Sequence, residues 1–285
     1  MAPVKLFFDE RDDRVCEERG DRRLYWLDDL GAEPLSHARP EDEGFVFAGG
    51  RPIADYQHLV GGLPGLRDRP SERQPLLRLD WTFDALANHG VTLTSPRTWR
   101  LPLDAPLPRD LTYPLFVRTA ESSWKLGGDI SRVKCERELV EEAEALRRGI
   151  RWDALILARE WLDLASAGES VYGPVPQEIR TWIVDQHPYA WSFHHSQVVP
   201  EPEGFPPTKA DLEHLREQAG RIGKAFHSRL VVADFVRLEG GGWAFLEAGP
   251  GSCAGTGHEA VFKSVASRLM GAELPLEGDR IGGLL

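Results

Sequence analysis

Asp234 and Glu247 lie on either side of the run Glu239-Gly240-Gly241-Gly242, each at the end of an apolar stretch. Val231-Val232-Ala233 precedes the first, and Trp243-Ala244-Phe245-Leu246 precedes the second. This pattern predicts a β-hairpin with strands over Leu230 to Leu238 and Trp243 to Ala248. A two-residue or symmetric four-residue turn centred on Gly240-Gly241 places Asp234 directly opposite Glu247 on one face. Opposed residues have Cβ atoms about 4.5–5.5 Å apart, and like charges there repel. Two carboxylates in such surroundings call for a proton or a cation between them. A hard divalent ion such as magnesium, completed by substrate phosphate oxygens, suits the pair. The alternatives are a carboxylate that points to solvent and a three-residue turn that breaks the register.

Phe116-Val117-Arg118 leads into Thr119-Ala120-Glu121-Ser122-Ser123-Trp124-Lys125-Leu126-Gly127-Gly128-Asp129. A strand ending in arginine, followed by serines, a lysine and two glycines, can wrap an anion. Glycines let backbone N–H groups approach, and Arg118 and Lys125 supply charge. No Gly-Lys-Ser/Thr follows four spacer residues, so this is not a Walker A loop. A plain surface loop is the competing reading. Gly251-Ser252-Cys253-Ala254-Gly255 has the outline of a nucleophile elbow with cysteine as nucleophile, with His258 or His227 as base. His194-His195 falls in an expected strand, which would point the two rings to opposite faces. Structural or solvated histidines are the ordinary reading there.

These groups need elements to hold them. Val4 to Phe8 and Phe45 to Ala48 read as short strands, Asp21 to Leu30 and Trp81 to His89 as helices, and Val91-Thr92-Leu93 as a strand after Gly90. Residues 94–112 carry Pro96, Pro102, Pro106 and Pro108 and read as an extended connector. The expected division is therefore residues 1–111, a small α/β unit, and residues 112–285. In the second part Tyr113 to Arg118 and Leu155 to Ala158 are strands, and Glu136 to Arg148 is a helix ended by Gly149. Glu178 to Val184 and Trp191 to Val199 form a strand pair around residues 185–189. Lys209 to His227 is a helix capped by Thr208 and Asp211, and His258 to Leu269 is a final helix. The stretches 165–176 and 186–189 are expected as loops that set specificity.

The 285 residues carry a net charge of −11 with no basic block, which argues against nonspecific duplex binding. No apolar run reaches the roughly 18 residues of a membrane span, and no signal peptide opens the chain. Cys16, Cys135 and Cys253 suit neither a disulfide framework nor a zinc knuckle, so a reducing cytoplasm is expected.

Taken in order, Phe116-Val117-Arg118, the loop around Lys125, Leu155 to Glu160, Glu178-Ile179-Arg180, Val232-Ala233-Asp234-Phe235 and Phe245-Leu246-Glu247-Ala248-Gly249-Pro250-Gly251 resemble the ATP-grasp superfamily. The resemblance covers Tyr113 to Gly271. It implies an α/β (α+β) chain: an ATP-grasp fold preceded by a small α/β pre-ATP-grasp domain. It also implies a carboxylate–amine ligase that uses ATP and magnesium, passes through an acyl phosphate and releases ADP. Arg118 stands where the family usually has a strand lysine on the phosphates. Lys125, Gly127 and Gly128 match the loop that closes over them. Glu160, Trp161 and Leu162 match the adenine hinge, with Asp163 in reach of ribose. Arg180 matches a basic residue beside the phosphates or acceptor, and Asp234 and Glu247 match the magnesium ligands. Arg118, Lys125 and Arg180 would stabilise phosphoryl transfer. Gly249 replaces the usual asparagine, so a third side-chain ligand is missing or comes from elsewhere, Ser252 being the candidate. The family's earlier lysine has only Arg97 and Arg100 as candidates. The implied partners are a small-molecule or peptide carboxylate and a nucleophile, without nucleic acid or membrane, and a homodimer is one arrangement the sequence allows. A non-catalytic nucleotide-binding module and a cysteine hydrolase are the alternatives.

Overall fold

The apolar run at the start of the chain forms β1 (Lys5–Phe8) in a parallel sheet with β2 (Glu33–Pro34), β3 (Gly44–Phe47) and β4 (Leu66–Arg67), in the order β2-β1-β3-β4. The computed structural model describes residues 4–11, 23–49, 53–101, 106–121, 132–149, 155–171, 173–196, 198–254, 258–272 and 274–285. Parallel strands covered on both faces read as continuous apolar runs rather than alternations. Phe7 and Val46 pack towards α2 (Ile53–Val60), whereas Leu6, Phe8, Phe45 and Phe47 pack towards α1 (Arg23–Asp28) and a helix from the far end of the chain, Glu259–Leu269. Two shorter helices follow, α3 (Pro70–Arg73) and α4 (Leu79–Asn88), and Gly90 leaves the second with φ +66°. Val91, Thr92 and Leu93 pair with no strand, contrary to the sequence expectation. Val91 and Leu93 lie partly buried against the core of a later sheet, and the Thr94 carbonyl accepts from the Phe245 N–H at 2.7 Å.

An antiparallel sheet of order β5-β8-β6-β7 contains β5 (Thr98–Leu101), β6 (Leu115–Thr119), β7 (Arg132–Val133) and β8 (Ile156–Glu160). The proline-rich stretch thus holds an edge strand, β5, the one strand position where neighbouring prolines do little harm. β5 lies before residue 111 and yet joins the sheet of the second part of the chain. One face carries Leu115, Val117, Ile156 and Ala158, covered by Leu139, Ala143 and Leu146 of α5 (Glu136–Gly149). Phe116, Arg118, Leu157 and Arg159 alternate onto the other face.

A third sheet has the order β14-β13-β11-β12-β15, with β11 (Glu178–Val184), β12 (His187–Phe193), β13 (Leu230–Arg237), β14 (Trp243–Pro250) and β15 (Gly282–Leu284). Helix α6 (Lys209–Ala225), with its Thr208–Asp211 capping box, covers one face through Leu215, Ala219 and Ile222. Helix α7 (Glu259–Leu269) covers part of the other face, where Phe262 and Val265 meet Trp182 and Leu230. The stretch expected as a specificity loop at 165–176 is instead an antiparallel hairpin, β9 (Ser166–Ser170) and β10 (Gly173–Pro176). Strand β12 begins four residues before the expected start. Asp185 and Gln186 adopt positive φ (49° and 68°) and close a two-residue turn, so the ladder resumes at once. It also ends early, and His194 and His195 lie in the turn that follows.

The hairpin of β13 and β14 does pair Asp234 with Glu247, though by a different route from the one expected. Its turn is a three-residue loop: Leu238 donates to Gly242 (3.1 Å), Gly241 donates to Leu238 (2.9 Å), and Gly241 and Gly242 take φ of +90° and +81°. That loop alone would set Asp234 against Leu246. A β-bulge between Asp234 and Phe235 skips Leu246 and brings Glu247 into line.

A buried polar cluster ties the parallel sheet to the third one. Asp68, at φ +72° after β4, accepts from the hydroxyls of Ser228 (2.8 Å) and Ser252 (2.9 Å). Arg73 lies 3.7 Å from the same carboxylate, stacks 4.1 Å from the Tyr56 ring centroid and donates to the carbonyls of Ala48 and Gly49.

Candidate active site

The cross-strand registers line up Ser192, Arg180, Asp234 and Glu247 across β12, β11, β13 and β14. Arg180 donates to both Asp234 oxygens, Nε to Oδ1 at 2.8 Å and Nη2 to Oδ2 at 2.7 Å, a buried fork-on-fork pair. Arg118 reaches over from the facing sheet and donates from Nη1 to Glu247 Oε2 at 2.6 Å. So the two carboxylates are each neutralised by an arginine, where the sequence calls for a proton or a cation. Glu247 Oε1 has no hydrogen-bond partner among the described residues, and Arg118 Nη2 is buried without one. Those two atoms fit a cation and an anion respectively, the pair that a metal-bound phosphate supplies.

Burial alone would raise the Glu247 carboxyl. Arg118, then Arg159 and Arg180, outweigh it and bring the carboxyl down to about 2. Burial raises Asp234, with the facing Glu247 adding to it and Arg180 opposing.

Arg159 was not among the residues singled out in the sequence. It donates from Nη2 to the carbonyl of the bulged Leu246 (2.8 Å) and from Nε to Thr98 Oγ1 (3.3 Å). Burial and the neighbouring Arg118 lower its guanidinium to about 9, with Glu247 pulling the other way. Its signal was present: a charged residue closing the apolar run Leu155-Ile156-Leu157-Ala158 is a costly thing to bury without a job.

At the hinge, the Glu160 N–H donates to Arg97 and the Trp161 N–H to Pro114, while the Asp163 carbonyl accepts from Glu239. Leu162 has no backbone partner among the described residues. The Glu160 carboxylate is engaged by the Arg97 N–H, and Asp163 is exposed. Lys125, Gly127 and Gly128 lie outside the described residues, as do Cys16 and Gly255. The hydroxyl of Ser252, the candidate third ligand, donates to Asp68 (2.9 Å).

The cysteine-hydrolase alternative loses its base. His258 caps α7, with Nδ1 accepting from the Val261 N–H and Nε2 on Asp279, and His227 is exposed. Cys253 donates to the Pro250 carbonyl. His194 and His195 do not point to opposite faces as expected. They share the turn after β12, with ring centroids 4.7 Å apart, and both approach Glu178. Burial and Arg180 lower the His194 ring to about 3. A cavity of about 110 Å³ lined by Thr94, His214, Arg221 and Phe235 lies on the α6 side of the third sheet, away from these groups.

Residues 79–269 match a family model described as an ATP-grasp domain, family 3 of its clade, and this is more than half of the chain. The chain belongs to the ATP-grasp family. Solved structures agree on the fold. N5-carboxyaminoimidazole synthase from Aspergillus clavatus, in complex with ADP and 5-aminoimidazole ribonucleotide, superposes with a TM-score of 0.64 at 12% identity. That match covers 96% of this chain and 78% of the other. D-alanine–D-alanine ligase from Bacillus anthracis, complexed with ATP, gives 0.59 at 15% identity over 89% and 87%. No curated protein matches the chain by sequence. In this ATP-grasp chain, the sheet bearing Arg118 and the sheet bearing Asp234 and Glu247 face one another, joined by the Arg118–Glu247 contact.

Proposed function

We propose that the protein is a magnesium-dependent, ADP-forming ligase that joins a small-molecule or peptide carboxylate to an amine or another nucleophile. The observation that carries this reading is the meeting of Arg118, Asp234 and Glu247 between the two sheets, with one guanidinium nitrogen and one carboxylate oxygen left over. ATP would lie between the sheets, with adenine at the Leu162 peptide and the phosphates at Arg118. Asp234 and Glu247 would hold magnesium, which neutralises charge on the phosphates. Attack by the acceptor carboxylate oxygen on the γ-phosphorus breaks the bond to the β-phosphate oxygen, giving ADP and an acyl phosphate. The nucleophile then attacks the acyl carbon, loses its proton, and phosphate departs with the bonding electrons.

Arg118 steadies the equatorial phosphate oxygens as charge builds on them, and Lys125 is assigned the same work from the loop. Arg180 acts through Asp234, which it orients. Arg159 acts through the Leu246 carbonyl, which fixes the strand carrying Glu247.

ADP release with magnesium, ATP and candidate carboxylates tests the reading. Saturating magnesium–ATP should raise the melting temperature, with ligand at about 100 times Kd adding roughly 2.7 kcal/mol. Glu247→Gln should cancel that rise and ADP release together. Wild-type protein that shows neither thermal shift nor binding heat would overturn the proposal. Gly249, which offers no third side-chain ligand, favours the non-catalytic nucleotide-binding module as the second reading. Binding without ADP release for any acceptor would establish it.

A further inference from the structure

Outside the arginine–carboxylate row, a second group of ligating side chains stands at the end of β11 and β12. The His194 N–H donates to the Glu178 carbonyl (3.0 Å), and the His195 carbonyl accepts from the N–H groups of both Val198 and Val199 (3.0 Å each). This turn holds two imidazoles over one carboxylate. His195 Nε2 lies 3.0 Å from Glu178 Oε2, and His194 Nε2 lies 3.9 Å from Glu178 Oε1. One ligand atom from each of the three lies within 4.8 Å of the others. A hydrogen bond to His195 accounts for one carboxylate oxygen. The His194 ring is beyond hydrogen-bond length from the other and has no hydrogen-bond partner among the described residues.

We propose that Glu178, His194 and His195 form a binding site for a borderline transition-metal cation of the zinc type, distinct from the paired carboxylates. An ion about 2.0–2.2 Å from each donor holds its ligand atoms roughly 3–4 Å apart, so the side chains need move little. Two imidazoles and a carboxylate suit zinc, cobalt or nickel, whereas magnesium takes oxygen donors and keeps its waters. The side chains of Glu178, His194 and His195 are 12%, 27% and 20% exposed, enough for an ion to enter. Arg180, two residues from Glu178 on β11, is turned onto Asp234. Three protein ligands leave a fourth position for water or an anion. This site does not depend on the ligase reading.

The test is titration of the metal-stripped, full-length protein with cobalt(II), followed by its visible absorption and by elemental analysis. One equivalent should bind with bands of a nitrogen–oxygen ligand set. The double variant His194→Gln/His195→Gln keeps polar side chains in the turn. It should lose affinity by at least the roughly 100-fold that removal of even an outer partner of a metal ligand can cost. Equal binding by wild type and double variant, or none by wild type, overturns the proposal. Should the double variant not fold, anomalous scattering at the cobalt edge from wild-type crystals decides: density among the three side chains supports the site, and its absence there overturns it. Cobalt binding without any magnesium–ATP shift would leave this site standing while the ligase reading falls, and the reverse result would separate them the other way.

Discussion

Asp68 with Arg73 and Glu247 with Arg118 are both carboxylate–arginine pairs set inside the molecule, and they behave oppositely. Asp68 and Arg73 are wholly enclosed, both side chains 0% exposed, with 3.7 Å between the charged atoms. Glu247 and Arg118 are 19% and 14% exposed and 2.6 Å apart. At Asp68, burial wins over the more distant guanidinium and the carboxyl rises. At Glu247, Arg118 in direct contact wins and the carboxyl falls to about 2. Both Asp68 oxygens accept from serine hydroxyls, and the enclosed side chain leaves no path for a ligand. Glu247 keeps one oxygen back. Burial and charge therefore do not mark a binding site by themselves. A surplus of unmet donors and acceptors at a partly open position does.

The sharpest way to break this comparison is to remove the enclosed carboxylate. Asp68→Ala strips two hydroxyls of their acceptor and leaves Arg73 uncompensated, so it should cost about 3–5 kcal/mol in chemical denaturation. Magnesium–ATP affinity of the molecules that remain folded should be unchanged. A selective loss of nucleotide binding would show that Asp68 belongs to the site.

Acid titration sharpens the contrast in sign. Glu247 has a lowered carboxyl in the folded state, so its contribution is present above its ordinary value of 4.5 and is lost as pH falls through about 2. The shift corresponds to on the order of 3 kcal/mol. Asp68 has a raised carboxyl and works in reverse, its ionisation penalty easing as pH falls. Urea unfolding from pH 5 to pH 2 should therefore show a shallower loss of stability in Glu247→Gln than in wild type. Parallel curves would refute the assignment.

The smallest effect is expected at Ser228. Ser228→Ala removes one donor to Asp68 and should cost about 1 kcal/mol. The magnesium–ATP thermal shift should persist unaltered.

Much of the frame was readable in the residues. The capping box at Thr208 and the steps of three and four residues between Leu212, Leu215, Ala219, Ile222 and Phe226 are local signals, and the structure follows them. Asp234 and Glu247 do meet, but through a three-residue loop corrected by a bulge, not through the symmetric turn from which the pairing was inferred. What failed were features settled over distance. Val91 to Leu93 are apolar enough for a strand but find no strand to pair with, since Phe245 takes only the Thr94 carbonyl. The two histidines were misplaced because the turn at Asp185 and Gln186 needs positive φ in non-glycine residues, which shifts the whole of β12 towards the N-terminus. The arginines that neutralise the carboxylates come from β6 and β11, 129 and 54 residues away in sequence, and no local pattern announces such partners.

The bulge at Leu246 makes that residue a spare link in the hairpin. Phe245 lies opposite Phe235 in the apolar core, and Glu247 lies opposite Asp234 on the other face. A chain lacking Leu246 would close into an unbroken ladder with both pairings intact. What it would lose is the carbonyl to which Arg159 is tethered. Shortening the protein by this one residue is thus a clean surgical cut: it removes one of the strand's two ties to the facing sheet, keeps the Arg118–Glu247 contact, and leaves unchanged which side chains meet.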